Sequence, residues 1–128
     1  MCGGLAPIGD LLKTAVYDVG RHLNACGASI PESTFSKPPS AELKPGQVDQ
    51  DKLPPYDVLD GILGLYVEQD RPAEEIVSAG YDSETVQRVI RMIDLTEYKR
   101  KQAAPALKVT SRAFGVGRRM PIAQGYRP

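Results

Sequence analysis

A mainly helical chain with at most one short edge strand is predicted, and three observations carry that prediction. Apolar residues recur at spacings of three and four in three stretches, Leu12 to Cys26, Val58 to Tyr66 and Val86 to Ile93. Only Thr34-Phe35-Ser36 is short and apolar enough for a strand, and Pro38 and Pro39 behind it confine it to an edge. The 128 residues are 41% hydrophobic, which supplies one small core and too little for two.

The elements follow in order. Gly3, Gly4, Gly9 and Pro7 make the opening segment a turn whose backbone a ligand can approach closely. Asp10 then offers an N-cap to a helix whose stripe is Leu12, Ala15, Val16, Val19, Leu23 and Cys26, closed by Gly27. Lys13 falls in its first turn, where a cation opposes the macrodipole unless an anion sits nearby. His22 borders the stripe and reads as a surface or core-edge histidine. Six of the eleven prolines lie between Pro31 and Pro55, so residues 37–55 read as a long mobile loop, with a disordered connector as the alternative. Ser40, Asp49 and Asp51 give that loop polar chemistry.

Pro55 suits a helix start, and Val58, Leu59, Ile62, Leu63 and Tyr66 form a buried stripe to about residue 69, with Asp57 and Asp60 favouring the N-terminus. Pro72 opens a short helix over residues 73–79 that Gly80 ends. Asp82 or Ser83 caps a third helix carrying Val86, Val89, Ile90 and Ile93, expected to run to about residue 101. Residues 103–128 contain no good helix or strand, so they dock, fold on a ligand, or stay mobile. The chain thus divides into a glycine-rich turn, helix and edge strand (1–36), a loop (37–55), a three-helix segment (55–102) and a basic arm (103–128).

The formal net charge is zero, but residues 1–87 hold 6 basic and 14 acidic side chains while residues 88–128 hold 10 basic and 2 acidic. Such an arm seeks anions, either phosphates or the chain's own carboxylates. With no Trp and 6% aromatics, stacking platforms for bases or sugars lack material. No apolar run approaches the length of a membrane span and no signal-peptide pattern opens the chain, so a cytoplasmic location is expected. Cys2, Cys26 and His22 are too few for a zinc site. Cys2 as an N-terminal amidotransferase nucleophile is disfavoured, because the rest of such a domain does not fit into this length. Residues 72–101 also read as a helix-turn-helix with a basic arm behind it, which makes a small nucleic-acid-binding module the alternative function. Against it, Val86-Gln87-Arg88-Val89 offers few base-reading side chains.

Pro38-Pro39-Ser40-Ala41-Glu42-Leu43 followed by Asp49-Gln50-Asp51-Lys52-Leu53-Pro54-Pro55-Tyr56-Asp57 resembles the C-terminal part of bacterial glutamine-dependent NAD synthetases. Three further stretches agree: residues 1–13, Glu97-Tyr98-Lys99-Arg100, and Thr110-Ser111-Arg112-Ala113-Phe114-Gly115 with Arg118-Arg119. The resemblance implies a mainly α fragment of a Rossmann-like, adenine nucleotide alpha hydrolase-like α/β synthetase domain, whose parent sheet is mostly outside these residues. It implies ATP-dependent amidation of nicotinic acid adenine dinucleotide through an adenylated intermediate, with Mg2+ accompanying ATP and ammonia supplied from glutamine by a nitrilase-like domain.

Neither that domain nor the family's serine-glycine-glycine phosphate loop is present here. The implied partners are therefore the remaining N-terminal synthetase portion and the glutaminase domain, in a homo-oligomeric enzyme, with the fragment inactive alone. By the same resemblance Lys13 and Lys99 are the catalytic cations, with Arg100 as neighbour. Ser40 and Tyr98 contact nucleotide, and Asp49 or Asp51 holds Mg2+ through water or a ribose hydroxyl. Gly3, Gly4 and Leu5 meet the dinucleotide, and Arg112 and Arg118 offer phosphate contacts. Gly4, Tyr98 and Lys52 depart from the ammonia-dependent branch, which favours the glutamine-dependent one.

Overall fold

Five β-branched side chains make the centre of the molecule: Ile62, Ile76, Val86, Val89 and Ile90 are each at most 1% exposed. The computed structural model describes residues 4–113 and 116–123. Among these residues lie six α-helices: α1 (Lys13–Ala25), α2 (Glu32–Ser36), α3 (Tyr56–Leu63), α4 (Ala73–Ser78), α5 (Ser83–Leu95) and α6 (Glu97–Gln102). A 3-10 turn, Asp49–Asp51, precedes α3, and a π-turn, Gly64–Glu68, continues it. No strand occurs among the described residues; the single β-bridge is an isolated parallel one between Ala6 and Ala106. The mainly α expectation is met. The core joins α3, α4 and α5, flanked by Val58, Leu59, Val77 and Ile93 at the predicted helical spacing.

Gly61 is forced by this packing, since a Cβ there would lie 2.1 Å from the Tyr81 hydroxyl and 2.9 Å from its ring. Tyr81 packs on the core cluster, so the ring cannot withdraw freely. Gly61→Ala is expected to destabilise by about 1 to 3 kcal/mol through overpacking, read as a lower urea midpoint at unchanged slope.

Three expectations are corrected. Residues 34–36 belong to α2 and form no edge strand. With no neighbouring strand to pair with, a five-residue helix satisfies its own backbone, Thr34 N–H donating to the Pro31 carbonyl at 2.9 Å. Phe35 packs against the buried Gly20 of α1, under Arg21. Second, Asp10 does not cap α1. The helix starts after Leu12, which has no capping side chain, and Asp60 of α3 accepts from Thr14 N at 2.8 Å instead. Third, the segment 55–102 holds four α-helices, because the helix that Asp82 caps stops at Leu95. The Thr96 hydroxyl donates to the Met92 carbonyl at 2.7 Å, and Arg100 reaches back to the Ile93 carbonyl at 2.6 Å, so the chain bends before α6. Glu97, 3% exposed, holds Arg100 in an ion pair at that bend.

The Asp82 cap is confirmed by its acceptance from Thr85 N at 2.9 Å, and that bond holds its carboxyl below the usual range. Its contribution is complete above the unfolded carboxylate pKa and fades as the pH falls through the lowered folded value.

The basic arm docks. Ala6 N donates to the Pro105 carbonyl at 2.8 Å, and Asp10, 6% exposed, accepts from Val109 N and Thr110 N at 2.7 Å each. Glu68 accepts from the Ser111 hydroxyl and amide, Asp70 pairs with Arg112, and Asp94 pairs with Arg118 at 3.2 Å. Arg112 and Arg118 of the basic arm are thus held by the chain's own carboxylates. No helix is long and apolar enough to cross a membrane among the described residues.

Candidate functional site

The N-terminal end of α1 faces the Pro-rich loop, and between them lies a cavity of about 670 Å³. Lys13, Tyr17, Lys37, Ser40 and Asp49 are among its lining residues. Three of the predicted site residues, Lys13, Ser40 and Asp49, are therefore brought together from positions far apart in sequence.

Each is held by a local device. The Lys13 ammonium sits 5.3 Å from the centre of the Tyr17 ring, one turn along the same helix. Ser40 Oγ accepts from Glu42 N at 3.0 Å and stabilises Glu42 at φ 53°, a left-handed conformation for a residue with a side chain. Lys37 and Glu42 form an exposed pair at 2.6 Å; their hydrogen bond raises the lysine pKa and lowers that of the glutamate. Asp49 N donates to the Pro39 carbonyl at 2.8 Å, while its Oδ2 accepts from the Tyr56 hydroxyl at 2.5 Å. Burial first, and then that bond, push the Tyr56 phenol well above its usual range, so it stays a donor at neutral pH.

A second cavity of about 300 Å³ adjoins the first through Lys13. Its walls include Leu59, Leu63 and Ile93, and Arg100 and Arg118 border it. Both arginines are already committed. Arg100 pairs with Glu97 at 2.9 Å, and Arg118 pairs with Asp94 while lying 4.3 Å over the Tyr66 ring. Arg112 is likewise held by Asp70. Of the five proposed cations, only Lys13 and Lys99 carry no ion pair among the described residues.

The remaining predicted residues stand apart. Lys99 and the 44% exposed Tyr98 lie on α6 and line neither cavity. Asp51 is occupied in accepting from Val48 N at 3.1 Å. Gly4 and Leu5 are exposed in the opening segment, and Gly3 and Cys2 lie outside the described residues. No three His, Cys, Asp or Glu side chains converge on a metal-binding point among the described residues. Sequence reasoning missed Tyr17 and Tyr56. The spacing of Tyr17 from Lys13 was a readable signal, whereas the reach of Tyr56 to Asp49 was not.

A family model described as NAD synthase matches residues 1–103. The chain belongs to the NAD synthase family. A relative in Synechocystis, named glutamine-dependent NAD(+) synthetase, is 57% identical over the whole of this chain and 23% of its own length. A relative of the same name in Thermotoga maritima is 54% identical over 99% of the chain and 22% of its own length. Among solved structures, glutamine-dependent NAD+ synthetase from Acinetobacter baumannii in complex with ADP superposes with a TM-score of 0.53 at 38% identity. That likeness covers 88% of this chain and 19% of the other. The chain therefore spans about a quarter of the length of these family members, as a mainly α portion of the synthetase domain.

Proposed function

We propose that this NAD synthase family chain supplies part of the synthetase centre of a glutamine-dependent NAD synthetase. The observation that carries the reading is the convergence of Lys13, Ser40 and Asp49 on one cavity, with Lys13 in no ion pair among the described residues. The nicotinate carboxylate of nicotinic acid adenine dinucleotide attacks the α-phosphorus of ATP and pyrophosphate leaves. Ammonia then attacks the acyl carbon, AMP departs, and the nitrogen loses a proton to give the amide of NAD. Negative charge grows on pyrophosphate in the first step, and a preorganised cation at Lys13 binds it more strongly as it leaves. The Ser40 hydroxyl donates to a phosphate oxygen.

Asp49 fits Mg2+ carried on the ATP phosphates, because such a metal needs only one or two carboxylates from protein and Oδ1 has no partner among the described residues. When bound, the metal would neutralise phosphate charge. Lys99 makes its contact in the complete enzyme, together with residues outside this chain. Arg100, Arg112 and Arg118 act chiefly by holding the arm and α6 in place. The cytoplasm is the setting this reading fits, with a homo-oligomeric parent.

The test is NAD formation by the complete protein from the deamido dinucleotide, ATP and glutamine. The complete protein is expected to turn over, and the 128-residue chain alone to form no NAD. A complete protein that forms none overturns the reading, and retention of the chain on duplex DNA at physiological salt would favour the nucleic-acid alternative.

A further inference from the structure

Asp49 sits in a 3-10 turn of only three residues, at the end of a loop rich in proline, and nothing in the turn itself fixes its side chain. What fixes it comes from the next element. Tyr56 is the first residue of α3, and its hydroxyl donates to Asp49 Oδ2 across seven residues. The same Tyr56 side chain lines the smaller cavity, whereas Asp49 lines the larger one, so the phenol stands between the two. Its base is well anchored, because α3 carries Ile62 into the core and Asp60 onto the first turn of α1.

We propose that the Tyr56 hydroxyl is a positioning group, which turns the Asp49 carboxylate into the cavity shared with Lys13 and Ser40 and so sets the site for metal-bound ATP. The inference rests on the synthetase reading given above and extends it to a residue that touches no reacting atom. By occupying Oδ2 it leaves Oδ1 for the metal or its water. A carboxylate held by one strong hydrogen bond to a rigid helix loses less freedom on binding than one on a free loop.

The experiment uses the complete enzyme with Mg·ATP as the varied substrate. Tyr56→Phe removes the hydroxyl and keeps the ring. The KM for Mg·ATP is expected to rise about tenfold, the size of one lost hydrogen bond to a charged group, with kcat changed far less and the KM for the deamido dinucleotide unmoved. Asp49→Asn, which keeps the shape, is expected to give a similar rise. The double variant is expected to be no worse than Asp49→Asn alone, because the two residues act through one contact.

A KM for Mg·ATP that stays at the wild-type value in Tyr56→Phe overturns the inference. So does a uniform loss in kcat and both KM values with a lowered thermal midpoint, which marks a merely structural role, or full additivity in the double variant. If Tyr56→Phe does not fold, an unmoved KM in Asp49→Asn overturns it equally. An inactive wild type removes the synthetase reading and this inference with it, whereas an active wild type with unmoved KM values removes the inference alone.

Discussion

Lys13→Ala in the complete enzyme is expected to slow pyrophosphate release from ATP by about 10²- to 10³-fold, the usual loss when a preorganised charge is withdrawn from a transition state. Lys13 opens α1, where its positive charge works against the helix dipole and is set beside an aromatic ring, with no carboxylate partner among the described residues. That placement costs stability unless an anion arrives. The substitution should therefore leave the fold intact and raise the melting midpoint slightly while removing activity. Lys13→Arg keeps the charge and is expected to retain part of the rate, because a guanidinium cannot reproduce the ammonium's compact geometry. Pyrophosphate release at the wild-type rate in Lys13→Ala would take this residue out of the centre.

Asp10→Ala is expected to detach the arm and to destabilise the chain by about 2 to 4 kcal/mol, since one carboxylate accepts from three donors of the arm at once. The Asp10 carboxylate accepts from Val109 N, from Thr110 N and from the Thr110 hydroxyl, all at 2.7 to 3.0 Å. The effect is read as a lower urea midpoint together with tryptic cleavage at Lys108, which the docked arm resists. Asp10→Asn keeps the shape but turns an amide N–H2 toward backbone donors, so it should recover only part of the loss. Had Asp10 been the cap of α1, as its position suggests, the damage would fall on α1 helicity and leave Lys108 protected.

That contrast shows what was legible and what was not. The core was read from spacing, because Ile62, Val86, Val89 and Ile90 obey the helical period and burial follows from it. The cap at Asp82 was equally legible, since its partner Thr85 is three residues away. Asp10 and Asp60 obey the same local rules and yet serve distant partners. Asp60 crosses 46 residues to α1, and Asp10 crosses about 100 to the arm. Capping rules see only neighbours in sequence, so no reading of the local pattern distinguishes these carboxylates from Asp82.

The same limit applies to the site. Lys13, Ser40 and Asp49 were nominated by resemblance, and the cavity they share is lined jointly by α1, α2 and the loop. The committed states of Arg112 and Arg118 depend on Asp70 and Asp94, which no motif links to them. The break at Thr96 goes with bonds from the Thr96 hydroxyl and Arg100 back to α5, which the helical period does not reveal.

The clasp between Asp10 and residues 109 and 110 also orders events in time. It closes a loop of about 100 residues, and a closure of that length costs about 4 kcal/mol of chain entropy before any of its bonds is made. The contacts among α3, α4 and α5 are short-range and demand far less. The helical core therefore assembles first and the arm seats last, so that Asp10 meets residues 109 and 110 only on a scaffold already formed. On a slow unfolding path the order reverses, and the amides of Val109 and Thr110 open to solvent as a small cooperative unit while those of α5 stay protected until the whole structure yields.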